Sequence, residues 1–452
     1  MASKNDKSVQ KAASTSRGGG GGGGAGILLT IAGVGLLALA VLYQTHLAPS
    51  IWAFAGIGRK LDPNLTSLAA SRCQKFTNLE GCEDAWMHQD SGLLYLACSS
   101  LAGRRKWLPT MDKLEASQRP TDDAIYILDT RAKGPWASRI TKVQPTSFHG
   151  ILGDSTLNLH GIGVLEVSSK PAPQEGDDIV LDTSYTPPTL YLYLNNHRPP
   201  LDPNTGKIIP DATKTGANST VEIFKTTLGS NKMEHVRTYA HEAIRTPNRV
   251  APVSPDSFLF TNDHGRKVGH LRVLSYVSND GDAGFCDPSG CKIVADKMAY
   301  PNGIVASDKP RQFWIPNMRE GRIKIYEWQP KDQSLVLIDD FYLDGPPGYP
   351  ADNLSLNSKT GAILAASLPQ GSHAIIGHFR DFRVLAASTI HRITLNEGKE
   401  KFFGAKYKMD KILEFDGKEY GAYTTAIEDE AGKQVWLMGV GAPHVAVCKL
   451  EA

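Results

Sequence analysis

From about residue 70 onward, some 380 residues run as short alternating or apolar segments punctuated by Gly, Pro, Asn and Asp, with no long amphipathic helical pattern. That punctuation restricts the fold to all-β architectures. One kind of strand recurs at Leu93–Cys98, Leu190–Leu194, Phe258–Thr261, Phe313–Pro316, Ile363–Ala366 and Val435–Met438. A second often follows, at Val221–Lys225, Leu271–Val277, Ile323–Trp328 and Val445–Leu450. Six such units with no linker between them predict a six-bladed β-propeller over 71–452 rather than a sandwich or two β domains. Two stretches rich in Pro, Asp and Thr, Ser168–Pro188 and Arg198–Ala217, read as long loops covering one end of the ring.

Four acid and amide clusters sit near the ends of strand-like runs: Glu83-Asp84, Asn262-Asp263, Asn302, and Asp352-Asn353. Any one of them alone reads as a turn. Together they offer oxygen donors and no thiolate, the chemistry of a hard cation such as calcium rather than zinc. A propeller lets one cluster per blade aim at a single ion near the axis. Two histidines, His160 in Leu-His-Gly-Ile and His197 in Leu-Asn-Asn-His, close runs that reach the same end. An imidazole near neutral pKa takes a proton from water, and a second one beside it moves that proton on. No Gly-x-Ser-x-Gly elbow, P-loop or Cys-x-x-Cys pair is present, and His241-Glu242 lacks the second histidine of a zinc protease motif.

The 49 basic and 47 acidic residues give a net charge of +2, which supplies no electrostatic footprint for nucleic acid. Residues 1–25 carry Lys4, Lys7, Lys11, Arg17 and the glycine run 18–24, and read as a disordered cytosolic tail. Residues 26–44 are almost wholly apolar or small and uncharged, the lower limit for one transmembrane helix. The basic flank before them predicts a single-pass type II signal anchor, with everything after it lumenal or extracellular. A cleaved signal peptide is the competing reading, against which stands the bulky flank Tyr43 to His46. Residues 45–70 form a juxtamembrane segment whose Ile51, Trp52 and Phe54 either rest in the interface or begin a packed helix.

Six cysteines suit an oxidising compartment. Cys73 and Cys448 lie at the extremes of the folded region, and a bridge between them closes the ring if the fold is circular. Cys286 and Cys291 flank an Asp-Pro-Ser-Gly turn that suits a local bridge, while Cys82 and Cys98 read as free buried thiols. Sequons at Asn64 and Asn218 fit lumenal glycosylation; the one at Asn353 overlaps the cation cluster and reads as unused.

From Cys73 to Cys448 the chain resembles the serum paraoxonase and arylesterase family of calcium-dependent lactonases. The resemblance is carried, in order, by Cys-Glu-Asp (82–84), Leu-His-Gly-Ile (159–162), Asn-His (196–197), Ser-Thr-Val-Glu-Ile-Phe-Lys (219–225), Thr-Asn-Asp-His (261–264), Pro-Asn-Gly-Ile (301–304) and Asp-Asn-Leu-Ser (352–355). It implies two calcium ions in the channel. The catalytic ion would be held by Glu83, Asn262, Asn302, Asp352 and Asn353, and a deeper structural ion by Asp84, Asp263 and the Ile162 carbonyl. His160 and His197 match the family's histidine dyad, with His160 the base, and Cys73 and Cys448 match its ring-closing disulfide. The implied activity is hydrolysis of lactones and aryl esters, with phosphotriesters as a side activity. Two departures concern the pocket: Leu368 stands where the family carries another histidine, and the loops after His160 and His197 are unlike those of the animal members.

Two other readings compete. One is a membrane-tethered binding propeller with purely structural calcium. The other is an enzyme resembling strictosidine synthase, which relies on a channel carboxylate and has no need of the full oxygen set.

Overall fold

The computed structural model describes residues 48–167, 187–399 and 406–450, with 33–37, 40, 41, 44, 401 and 404. The chain divides into two compact units, Met1–Ala48 and Pro49–Ala452. In the first, residues 33–37 are helical. The tail predicted over 1–25 and most of the span predicted over 26–44 lie outside the described residues. No helix among the described residues is long and apolar enough to cross a membrane.

The second unit is a six-bladed β-propeller whose sheets follow one another in chain order. Blade 1 consists of Asp84–His88, Leu93–Cys98, Ala124–Asp129 and Ile140–Lys142. Blade 2 has long strands at Leu159–Val167, Thr189–Arg198, Asn218–Thr227 and Lys232–Tyr239, and Gln144–Thr146 pairs parallel to the outermost of them. Blade 3 is Pro247–Ser254, Ser257–Asn262, Gly281–Asp287 and Gly290–Met298; blade 4 is Val305–Ala306, Gln312–Asn317, Arg322–Gln329 and Ser334–Tyr342. Blade 5 is Ala351–Leu356, Ile363–Ser367, Ser388–Leu395 and Tyr407–Phe415. Blade 6 takes Thr425–Asp429, Gln434–Met438 and Val445–Lys449 from the end of the chain and its outer strand, Cys73–Phe76, from the beginning. That last antiparallel pairing sets Cys73 opposite Cys448, and a disulfide joins them.

The strands read as near-continuous apolar runs because each sheet is covered on both faces by its neighbours. Tyr95 and Ile125 of blade 1 pack against Leu190, Leu192 and Phe224 of blade 2. Leu94 and Leu96, which alternate with Tyr95, turn the other way and meet Trp436 and Val445 of blade 6. The first strand of each blade touches the first strands of the blades on either side, which closes the ring around the channel.

Two expectations are corrected. Leu271–Val277 is not a strand: His270–Tyr276 is a 3-10 helix, and the third strand of blade 3 is Gly281–Asp287. Its Leu271, Val273 and Leu274 are exposed, whereas Arg272 and Ser275, three residues apart, are buried, as a three-residue turn requires. Cys82 and Cys98 are not free thiols but a disulfide. The Glu83 N–H pairs with the Ala97 carbonyl, so the hairpin ladder carries Cys82 to the side of Cys98. Cys286 and Cys291 are register partners and form the local bridge.

The loop Arg198–Ala217 is ordered: Ala212 and Ala217 pack with Trp107, Leu114 and Ala116 on a small two-stranded sheet. Ser168–Pro188 lies almost wholly outside the described residues. Helix Ala48–Ala55 buries Ala53 and sets Phe54 edge-on to Tyr300, leaving Trp52 exposed. Phe54 is thus packed as the packed-helix reading has it. The second helix, Pro63–Arg72, starts where the Asp62 side chain accepts from the Asn64 N–H at 2.8 Å and proline fills the first turn. Asn64 and Asn218 are exposed, whereas Asn353 is buried.

Candidate active site

All six inner strands run the same way down the channel, so their first residues gather at one mouth. The antiparallel second strands return to that mouth, so their last residues gather there too. Sites scattered from Glu83 to Asp352 are thereby brought together: Glu83, His160, Asn248 and Asp352 open inner strands or immediately precede them, Asn302 lies three residues before one, and Asp263 follows a second strand. They line a cleft that encloses about 510 Å³, including space open to solvent. A larger cleft, about 1070 Å³, opens at the opposite mouth around Trp86, Val164, Pro252 and Leu356, away from these groups.

The carboxylates in the cleft are buried and crowded. Glu83 accepts from Asn353 Nδ2 (3.0 Å) and Thr424 Oγ1 (2.8 Å). Burial, helped by the charge of Asp84, pushes the Glu83 carboxyl well above the usual range, against the pull of Arg104. Burial does the same to Asp352, with repulsion from Glu83, Asp263 and Asp84 added. Asp263, despite burial that works the other way, is held below its ordinary value by His264, whose Nδ1 lies 2.7 Å from Asp263 Oδ1. Three buried oxygens, Asp263 Oδ2, Asn302 Oδ1 and Asn248 Oδ1, have no hydrogen-bond partner. No cluster of three or more His, Cys, Asp or Glu side chains spaced for a metal occurs among the described residues, so the donor set is a mixed one of carboxylates and amides. Like-charged carboxylates beside unpartnered amide oxygens fit an oxygen-seeking divalent cation.

Glycine makes one approach possible. A Cβ on Gly303 would lie 2.3 Å from Asn353 Oδ1 and 2.9 Å from its Cα. Only with hydrogen at that position does Asn353 reach Glu83.

The structure separates the expected ligands. Asn262 does not line the cleft: its Oδ1 accepts from the Arg245 (3.0 Å) and Thr246 (2.9 Å) N–H groups, and its Nδ2 donates to the Ala243 carbonyl and Asp282. Alternation on the strand explains this, since Asn262 and its neighbour Asp263 face opposite ways. Asp84 lies deeper. It accepts from the Ala85 and Ile162 N–H groups and pairs with Arg249. Asn248, which the sequence did not single out, stands in the cleft instead. Its position one residue into an inner strand was the available signal.

His160 and His197 are adjacent, with ring centres 5.3 Å apart. His160 Nε2 is 3.5 Å from the Asn248 amide and 3.9 Å from Glu83 Oε1, and its Nδ1 is buried without a partner. His197 Nδ1 is fixed by Ser219 Oγ at 2.9 Å, and its Nε2 is free of hydrogen bonds. Burial lowers both pKa values: His160 falls well below its ordinary value, further depressed by His197 and Arg104, and His197 falls to about 4. Both rings are therefore neutral at pH 7, with a nitrogen able to accept a proton.

The wall above is apolar: Phe54, Met111, Tyr300, Met318, Leu368 and Phe379. Leu368 thus lines the pocket as the sequence suggested. Met111 was not anticipated. It is held by Arg272, which donates to the Pro109 (2.8 Å) and Thr110 (2.9 Å) carbonyls and pairs with Asp112. Trp107 Nε1 donates to the His197 carbonyl at 2.7 Å, tying the same segment to the histidine.

A family model described as Arylesterase matches residues 211–404. Serum paraoxonase/arylesterase 2 of Bos taurus is 28% identical over 160 residues, 35% of this chain and 44% of that protein. Serum paraoxonase/lactonase 3 of Mus musculus is 25% identical over 254 residues, 56% of this chain and 59% of that one. The matches span about half the length of these curated relatives. The solved periplasmic gluconolactonase of Pseudomonas aeruginosa is similar at a TM-score of 0.41 and 8% identity, over 81% of this chain and 80% of that one.

Proposed function

Because the chain is related to the serum paraoxonase and arylesterase family, we propose that it hydrolyses lactones and aryl esters at the cleft, with phosphotriesters as a side activity, and depends on calcium. The observation that carries this reading is the meeting of Glu83, Asp263, Asn302 and Asp352 with the neutral base His160 beneath one apolar wall. Glu83, Asn302, Asp352, Asp263 and Asn248 would hold the cation. When bound, calcium supplies Lewis-acid polarisation of the substrate carbonyl and stabilises the developing oxyanion.

The chain's own residues do the rest. The wall from Phe54 to Phe379 holds the apolar acyl or aryl part and excludes water from it. His160 removes a proton from the attacking water, the water oxygen bonds to the carbonyl carbon, and the C–O bond of the ester breaks. The leaving oxygen takes up a proton, for which His197, fixed by Ser219 with its ring centre 5.3 Å from that of His160, is the proposed relay. No covalent enzyme intermediate is needed.

The test is hydrolysis of a lactone panel and phenyl acetate by the full chain before chelation, after it, and after calcium return. Activity lost and regained with calcium, and lowered by roughly 10²-fold or more in His160→Gln, supports the reading. Chelator-resistant turnover sinks it. The same proposal places the chain as a type II membrane protein with the propeller lumenal or extracellular. Glycosidase-sensitive mass at Asn64 and Asn218 supports that topology, and their absence from protein made in the secretory pathway contradicts it.

A further inference from the structure

We propose that Arg249 occupies the deeper cation position in this chain, so that the propeller holds a single calcium ion. This rests on the calcium-dependent reading above and departs from the pair of ions that the family resemblance implies. Asp84, the expected ligand of the deeper ion, is fully buried, and Arg249 Nε lies 2.7 Å from its Oδ2. The remaining contacts of that carboxylate are the N–H groups of Ala85 and Ile162, at 2.9 Å each. Ile162 thus supplies Asp84 with a second N–H donor.

Arg249 is itself buried in the channel, and its Nη1 donates to the Leu354 carbonyl of blade 5. Asp84 is its one acidic partner among the described residues. The inner strand of blade 2 leaves it room through a glycine: a Cβ on Gly161 would meet the Asn248 carbonyl at 2.4 Å, Arg249 Cα at 2.9 Å and Arg249 Cγ at 3.2 Å. The second carboxylate expected at the deeper ion, Asp263, lines the upper cleft, with His264 on Oδ1. The two acids are thus divided between levels. Buried charge has to be compensated. A guanidinium answers Asp84 below, and one divalent ion serves Glu83, Asp263 and Asp352 above.

The experiment is calcium stoichiometry on the full chain, by elemental analysis after gel filtration in low calcium and by titration calorimetry of the chelated protein. One tightly held ion per chain is expected. Two overturn the inference while leaving the hydrolase reading intact, and none removes the calcium reading and this inference with it. Arg249→Met is expected to take up a second ion, with a melting temperature several degrees below the wild type in chelator and largely restored by calcium. A variant that still binds one ion and melts like the wild type overturns the role of Arg249. Should Arg249→Met fail to fold, Arg249→Lys decides: it keeps the charge, so one ion and a near-native melting temperature are expected, and two ions refute the substitution of cation by side chain.

Discussion

Gly303→Ala is the sharpest perturbation of the cleft, because it adds one methyl group and removes no donor. The new Cβ would stand 2.3 Å from Asn353 Oδ1, 2.9 Å from Asn353 Cα and 3.1 Å from Asn353 Cγ. Ordinary contact begins near 3.4 Å, so the two segments have to separate by about 1 Å, a shift of the size that costs roughly 10²-fold in a positioned reaction. A rotation of the side chain alone does not relieve it, since the Cα also clashes. Asn353 holds Glu83 at 3.0 Å, and the Gly303 N–H binds the Asp352 carbonyl at 3.1 Å, so three oxygen-bearing residues move together. We expect kcat/KM for phenyl acetate to fall about 10²-fold, equivalent to roughly 2.7 kcal/mol of lost transition-state stabilisation. Overpacking should lower stability by about 1–3 kcal/mol, measured by urea unfolding. A folded Gly303→Ala protein with wild-type kcat/KM would refute the claim that Asn353 and Asp352 are held in working geometry by this approach.

Two buried histidines should each make the fold more sensitive to mild acid. His197 and His378 are buried with pKa values lowered to about 4 from 6.5, so between those values the unfolded chain binds protons that the folded chain refuses. The loss of melting temperature from pH 6.5 toward pH 4 in calcium buffer should therefore be smaller in His378→Gln than in the wild type, since the raised carboxyls of Glu83 and Asp123 work the other way in both proteins; parallel profiles would contradict the burial argument. Cys73→Ser opens the ring: a bridge across a sequence separation of 375 contributes at most about 6 kcal/mol by loop entropy. A midpoint in urea identical to that of the wild type would show that the strand pairing alone closes the propeller. Arg272→Ala frees the Pro109 and Thr110 carbonyls and the Met111 wall, and should raise KM several-fold and cost about 2–3 kcal/mol; an unaltered KM would show that the wall does not depend on this anchor.

Much of the architecture could be read from the residues because it rests on local pattern. Apolar runs such as Leu93–Cys98 and Ile363–Ser367 are strands at or close to the predicted bounds. Short strands repeated without a linker have few ways to cover their edges, and a ring joined through Cys73 and Cys448 is one of them. Leu271–Val277 departs from the expected strand because a run of Leu and Val carries the same apolar signal in a strand and in an exposed turn. What distinguishes the two is the burial of Arg272, a tertiary contact with Pro109 and Thr110.

The same division runs through the cleft. Composition and chain order determined the donor chemistry: carboxylates and amides at strand ends, with two histidines beside them. Which member of each pair faces the channel was decided only on folding. Asn262 is committed to the Arg245 and Thr246 N–H groups, whereas Asp263 enters the cleft. Asn248 and Met111 joined the site from segments with no motif. Cys82 found Cys98 through hairpin register, and Arg249 reached Asp84 from a different blade. The sequence states which groups are available. Their partners depend on contacts between blades far apart in the chain, and those exist only once the ring has closed.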